Sequence, residues 1–385
     1  MVCKEMARNN LKIGIVCYPT FGGSGVIATE LGTALAKNGH EVHFITSSQP
    51  VKLNVFEKNI SFHEVVLNPY PLFQHQPFEV ALTSKIVEVV KYEKLDLLHV
   101  HYAIPHASAA YLAKQILKEQ GIKIPYITTL HGTDITLVGK EPEFEPTISF
   151  AINQSDIVTS VSESLKKDTY KHFKVSKDIK VVPNFVCVSK FKKDPKNCKK
   201  SIFAPNGERI LMHISNFRKV KRIQDIIKIH ARVNKEIPTR LILIGDGPER
   251  SSMERLAREQ GVENSTYFLG KIKETEKALC SADVYLMTSE TESFGVSALE
   301  AMAAGIPVIS SNTGGIPEVN VHDETGFLSD VGDIDDMSIN LIKILKDTIL
   351  YRRISSNALK KANSFNISSI LPIYESLYND LFPKL

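Results

Sequence analysis

Two glutamates, Glu292 and Glu300, stand in Glu-x7-Glu spacing within Thr288-Ser-Glu-Thr-Glu-Ser-Phe-Gly-Val-Ser-Ala-Leu-Glu-Ala-Met-Ala-Ala-Gly305. The apolar run Asp283-Val-Tyr-Leu-Met287 before them reads as a short buried strand. Ser293 is expected to cap a helix that starts near Phe294 and stops at Gly305. Glu292 then lies on the strand-to-helix loop, with Glu300 about two turns into the helix. Between them the backbone N–H groups of Phe294, Gly295 and Val296 are free at a helix N-terminus, where anions bind. Carboxylates accept hydrogen bonds from hydroxyls and helix N-termini accept phosphates. A nucleotide sugar carries both. Alone, the pair also fits an amphipathic helix with two solvated glutamates, so the other motifs must decide.

Arg218 and Lys221, in Arg218-Lys-Val-Lys-Arg222, follow an apolar strand and can give a diphosphate two positive charges. Arginine offers bidentate geometry and lysine a point charge. Spacing does not say which of Lys219, Lys221 and Arg222 points inward, and a solvated basic loop is the rival reading. Gly22-Gly-Ser-Gly25 sits between the first strand and the first helix, where a phosphate-binding turn belongs. A dinucleotide-binding dehydrogenase would need G-x-G-x-x-G and an acidic residue ending the second strand. That strand instead ends Ile45-Thr-Ser-Ser-Gln49, which argues against a nicotinamide cofactor. His131-Gly-Thr-Asp134 directly follows a strand, at the end suited to hydroxyl or phosphate contacts. His99, His101 and His106 have no acidic or cysteine partner at ligand spacing, so no metal is expected.

The elements that must position these residues alternate. Strands near 11–17, 41–47, 95–101, 125–130, 157–161 and 179–183 are separated by helices near 26–38, 78–93, 106–120, 146–154 and 162–173. A stretch rich in Lys, Asp, Pro, Asn and Gly, 187–207, breaks the pattern and reads as a linker. Strands near 209–214, 240–244, 266–269, 283–287 and 306–310 then alternate with helices near 223–236, 249–259, 274–281 and 333–347. Such alternation predicts parallel sheets covered on both faces. The expected class is α/β, two doubly wound Rossmann-like domains facing a central cleft that holds the active site. The expected boundaries are 1–186, 187–365, and a helical tail 366–385 returning to the first domain.

A chain of 385 residues exceeds one ordinary core, and 43% hydrophobic with 23% charged residues describes a globular protein. A net charge of +4 is too small to argue for nucleic acid. No apolar run approaches the roughly 20 residues that span a bilayer, and no apolar signal core follows the polar start, so a cytoplasmic protein is expected. Cys3, Cys17, Cys187, Cys198 and Cys280 are scattered without a C-x-x-C pair, the pattern of reduced thiols.

With these residues in view, the chain resembles the large retaining GT-B glycosyltransferase family that carries the E-x7-E motif. The resemblance rests on Gly22–Gly25, His131–Asp134, Val182-Pro-Asn184, Arg218 with Lys221, Gly245-Asp-Gly-Pro248, Glu292 to Glu300, and Gly314-Gly-Ile-Pro-Glu318. Cys17–Gly25, His43–Ser48, His101–Ala107, Thr129–Thr136 and Ser215–Arg222 further resemble a branch that moves GlcNAc from UDP-GlcNAc to the hydroxyl of L-malate in bacillithiol biosynthesis, without a metal. By that resemblance Glu292 holds the donor sugar and Glu300 the ribose. Arg218 and Lys221 neutralise the diphosphate, with the amides around Gly22 and Gly23 and of Phe294, Gly295 and Val296. Asn216 is a further donor contact, His131 lines the sugar, and Ser24, Tyr102 and Thr133 face malate. Ser149 departs from the branch, which is expected to carry arginine beside Phe150, so the contacts to the malate carboxylates stay open. The resemblance allows a homodimer but locates no interface. Two other readings remain at this point: a related transferase with a lipid, inositol phosphate or polysaccharide acceptor, and a non-catalytic nucleotide-sugar-binding protein. The mixed charge of the 78–93 helix, with Lys85, Lys91, Glu79, Glu88 and Glu93, argues against a membrane-bound acceptor.

Overall fold

A computed structural model describes residues 10–20, 22–67, 77–137, 141–192 and 198–382. The polar start before Asn10, and Lys193 of the expected linker, lie outside the described residues. The chain divides into two compact units, Met1–Asn184 with Ile367–Leu385, and Phe185–Asn366.

The first unit runs β1 (Lys12–Val16), α1 (Ser24–Lys37), β2 (Glu41–Thr46), β3 (Ile60–Glu64), α2 (Phe78–Glu93), β4 (Leu97–His101), α3 (Ser108–Glu119), β5 (Tyr126–Leu130), α4 (Glu145–Gln154), β6 (Ile157–Ser160), α5 (Glu163–His172) and β7 (Ile179–Val181). The second runs α6 (Lys200–Phe203), β8 (Arg209–Ile214), α7 (Ile223–Val233), β9 (Thr239–Ile244), α8 (Arg250–Glu259), β10 (Thr266–Gly270), α9 (Thr275–Leu279), β11 (Val284–Met287), α10 (Val296–Ala303), β12 (Val308–Ser311), α11 (Ile316–Val319), β13 (Gly326–Ser329), α12 (Ile334–Lys346) and α13 (Thr348–Ser364). The last helix, α14 (Ile367–Asn379), belongs to the first unit, where Tyr378 Oη meets His99 Nδ1 at 2.7 Å and Asn38 Nδ2 donates to Glu375 at 3.0 Å.

All strand pairs are parallel, in the orders β3-β2-β1-β4-β5-β6-β7 and β10-β9-β8-β11-β12-β13. Helices cover both faces of such sheets, so central strands are buried along their whole length. In β4 every residue from Leu97 to His101 is buried, and Leu98 and Val100 pack with Ile86, Val89 and Val90 of α2. Leu211, Leu241, Leu243, Val284 and Leu286 form the equivalent core of the second unit with Ile226, Ile227 and Leu341.

Both orders reverse direction once, between β1 and β4 and between β8 and β11. In open parallel sheets ligands bind beyond the carboxyl ends of the strands at such a reversal. The loops after these four strands are residues 17–23, 102–107, 215–222 and 288–295. They carry most of the chemistry singled out in the sequence.

Several expectations need correction. Edge strands β3 and β13 and helices α6, α11 and α13 were not expected. The helix after β11 is shorter than the sequence suggests, and Ser293 does not cap it. Gly295 takes that position with φ 93°, and Glu300 is the fifth helical residue. The cause is a close approach from another loop: a Cβ on Gly314 (φ +55°) would lie 2.0 Å from the Glu292 carbonyl oxygen, and one on Gly315 2.3 Å from that of Ser293. Cys198 and Cys280, expected as reduced thiols, are joined in a disulfide with Cα atoms 5.4 Å apart. They are 82 residues apart, and only the tertiary fold brings them together. No helix among the described residues is long and apolar enough to cross a membrane.

Candidate functional site

In the second unit the loop after β8 carries the basic cluster. Its course is set by the turn after β9: Phe217 N donates to Asp246 O (3.0 Å) and Glu249 N to Phe217 O (3.0 Å). A Cβ on Gly245 would stand 1.7 Å from Ser215 O, so only glycine allows that approach. The loop after β11 is tied to the same cluster. Thr288 Oγ1 donates to the carbonyls of Lys221 (3.1 Å) and Arg222 (3.0 Å), and Glu290 N donates to Val220 O at 2.8 Å.

These ties bring Lys221 Nζ against Glu292 Oε1, which also accepts from Ser289 Oγ at 3.0 Å. The spacing alone left open which basic side chain points inward. Arg222 is committed to Asp225 at 2.7 Å, Lys221 pairs with Glu292, and Arg218, Lys219 and Asn216 are exposed. Phe294 is buried against Phe365, with ring centroids 5.6 Å apart, so any ligand contact falls to its backbone. The N–H groups of Val296 and the residues before it point out of the first turn of α10, unclaimed by the helix ladder. Glu300 is partly buried on the same helix.

In the first unit Gly23 precedes α1 at φ +61°, a conformation that favours glycine. Gly25 admits no side chain, since a Cβ would lie 2.4 Å from Tyr18 O, whereas Gly22 faces open space. Ser24 Oγ meets Tyr102 Oη at 2.6 Å, joining the two loops at the sheet's reversal. Burial pushes the Tyr102 phenol up to about 12, with Asp134 adding to the effect, so it remains a neutral hydrogen-bonding group. Its ring lies 5.2 Å from that of His131, and Thr133 is exposed beside it.

His131 directly follows β5 and meets His101 Nδ1 through Nε2 at 2.8 Å. Burial, reinforced by neighbouring His99 and His106, pulls it down to about 3, so it is a neutral imidazole. It can hydrogen-bond a hydroxyl but supplies no charge to a phosphate. Asp134 does not face a ligand: it accepts from Ala103 N (2.7 Å) and Gly132 N (3.2 Å) and pins two loops together. Ser149 is also internal, donating to Glu145 Oε1 at 2.7 Å and accepting from Lys174 N at 3.1 Å.

The arrangement can hold a diphosphate between side-chain cations and helix amides in one unit, and small hydroxylated groups in the other. Two family models match the chain, Glycosyltransferase Family 4 over residues 21–190 and Glycosyl transferases group 1 over residues 195–361. The N-acetyl-alpha-D-glucosaminyl L-malate synthase of Bacillus anthracis is 48% identical over 96% of this chain and 97% of its own length. The chain belongs to the glycosyltransferase family of that synthase. A D-inositol 3-phosphate glycosyltransferase of Corynebacterium glutamicum is 24% identical over 93% of the chain and 92% of its own length.

Solved structures agree on the fold. Sucrose-phosphate synthase from Thermosynechococcus elongatus superimposes with a TM-score of 0.81 at 21% identity, over 97% of this chain and 99% of its own. Anabaena HepE, solved in complex with UDP and glucose, gives 0.80 at 19% identity, over 95% and 99%. This glycosyltransferase therefore has the expected GT-B architecture of two Rossmann-like domains. Sequence reasoning missed His213 in it. Burial draws that imidazole down to about 4, and it bridges Leu286 O (2.8 Å) and Ser215 Oγ (2.7 Å) beneath the Lys221–Glu292 pair. Its position near the carboxyl end of β8 was the available signal.

Proposed function

We propose that this glycosyltransferase moves N-acetylglucosamine from UDP-GlcNAc to the hydroxyl of L-malate, releasing UDP, as the first step of bacillithiol biosynthesis in the cytoplasm. The observation that carries the reading is near-full-length identity of 48% to a synthase of that name.

Breaking the glycosidic bond leaves negative charge on the UDP diphosphate. In this reading Arg218, Lys221 and the amides of Phe294, Gly295 and Val296 meet that charge, and preorganised donors of this kind lower the barrier for such a departure. The Lys221–Glu292 pair serves both substrate halves in this scheme. Glu292 keeps the ammonium in place and accepts hydrogen bonds from sugar hydroxyls through its remaining lone pairs. Glu300 accepts from the ribose, and Asn216, Gly22 and Gly23 complete the donor contacts. His131, neutral, hydrogen-bonds a sugar hydroxyl. Ser24, Tyr102 and Thr133 face malate.

Transfer proceeds with retention by attack on the face from which UDP leaves, the departing phosphate oxygen taking the malate proton. This scheme asks for no carboxylate nucleophile of the kind retaining glycosidases use. The charge on the leaving group is met by side chains, so no divalent ion is required in it. The test is UDP-GlcNAc incubated with L-malate, with an inositol phosphate, and with diacylglycerol vesicles in separate reactions. UDP release that depends on L-malate, with an α-linked GlcNAc-malate product by NMR, is expected. Release that requires one of the other acceptors, or none, refutes the reading.

A further inference from the structure

A second group of chemically competent side chains lies on the face of the first sheet under α2, away from the loops described above. His43 is in β2, His63 in the edge strand β3, and Glu93 is the last residue of α2. Parallel register sets Ile45 opposite His63, which puts His43 and His63 on one face two residues out of step. One ligand atom from each of His43, His63 and Glu93 falls within 4.8 Å of the others. His43 Nδ1 and His63 Nε2 face each other at 2.9 Å. His43 is buried, while His63 and Glu93 are half-buried, so an ion can reach the group from solvent.

We propose that His43, His63 and Glu93 bind a divalent transition-metal ion of the zinc class. Tetrahedral zinc holds its nitrogen ligands at about 2.0–2.1 Å, so two imidazole nitrogens on one ion stand a few tenths of an ångström further apart than these do. A small rotation of the half-buried His63 ring gives that spacing. Two imidazoles and one carboxylate leave a fourth position for water. This donor set suits Zn²⁺, Co²⁺, Ni²⁺ or Cu²⁺, and has too few oxygens for Ca²⁺ or Mg²⁺.

Two further features fit a cation. His43 Nε2 lies 3.2 Å from Glu41 Oε1, the carboxylate–histidine relay that aims the opposite nitrogen at a metal. Glu93 closes a helix C-terminus, where its negative charge is unfavourable without a nearby cation. Two lysines near the group are already engaged, Lys12 with Glu41 at 3.0 Å and Lys85 with Glu88 at 2.8 Å.

The test uses the full chain stripped with a chelator, titrated with Zn²⁺ by calorimetry and with Co²⁺ by visible absorption. One equivalent should bind, with the d–d bands of low-coordinate Co²⁺ and a Zn²⁺-dependent rise in melting temperature. Mg²⁺ should do neither. His63→Ala and Glu93→Gln change half-buried positions, and their metal-free melting temperatures verify that they fold. Each should weaken binding by more than the roughly 10–100-fold that follows loss of an outer-shell partner. Absence of binding in the unaltered chain, or variants that bind as tightly as the unaltered chain, overturns the site.

Discussion

Replacing Lys221 by methionine removes one charge and leaves another without its partner. The Lys221 and Glu292 side chains are 20% and 15% exposed, so the pair is neither a surface bridge nor a dry one. Exposed pairs contribute about 0–1 kcal/mol, and breaking a buried one costs about 3–5 kcal/mol. The fold should therefore lose roughly 1–3 kcal/mol, visible as a lower melting temperature without loss of the native state. Catalysis should suffer more. Losing a preorganised group that stabilises developing negative charge lowers kcat by about 10²–10³. The two effects are separated by a double-mutant cycle with Glu292→Gln, which removes the stranded carboxylate. Stability should recover in the double variant. UDP release at saturating UDP-GlcNAc should stay about 10²–10³-fold below that of Glu292→Gln alone. If the double variant turns over as fast as Glu292→Gln, Lys221 serves only to hold Glu292, and its direct role at the diphosphate is refuted.

Gly314→Ala puts a methyl group 2.0 Å from the Glu292 carbonyl in a left-handed backbone conformation. It should destabilise the chain by about 1–3 kcal/mol and raise KM for UDP-GlcNAc, and an unchanged melting curve would contradict the account of the loop. Burial lowers His99 and His131 to about 3, while an unfolded histidine titrates near 6.5. The unfolded chain then binds more protons in acid, so stability is lost as pH falls from about 6.5 toward 3, by about 2 kcal/mol per such group at pH 5. Asp134 acts oppositely, because its carboxyl is raised by burial to about 6 and its stabilisation fades as pH rises through that value. With more histidines shifted than carboxylates, the melting temperature should fall between pH 7 and pH 5, and His99→Asn should flatten that slope.

Much of this was legible in the amino-acid order because strands buried on both faces leave unbroken apolar runs, as in Ile210–Met212 and Leu241–Ile244. Edge strand β3 was hidden because Ile60-Ser-Phe-His-Glu64 is half exposed and mixes polar with apolar residues. Helix α13 is largely polar, and its start depends on Asp347 accepting from Ile349 N and Leu350 N. The residue types at the site could be read because they cluster where strands end. The partnership of Lys221 with Glu292 could not, since 71 residues separate them. The same holds for Cys198 with Cys280 and for His43, His63 and Glu93, which no local spacing links. Gly295 displaced Ser293 as the helix start because the approach of Gly314 and Gly315 demands a turn that a local capping rule does not see.

Repetition of one strand order in both units offers a stricter test than any motif. Arg218 and Lys273 are both exposed basic residues on loops at the carboxyl ends of strands in the second unit. They differ in which strand they follow. Arg218 comes after β8, beside the reversal in strand order, and Lys273 after β10, at the sheet's edge. If ligand binding follows the reversal, Arg218→Ala should lower turnover by about 10²–10³ and Lys273→Ala should leave it unchanged. Neither side chain is buried, so both variants should melt near the unaltered protein, and a difference in UDP release then reports on position alone. Equal losses in the two variants would mean that net positive charge, rather than the geometry of the sheet, holds the nucleotide.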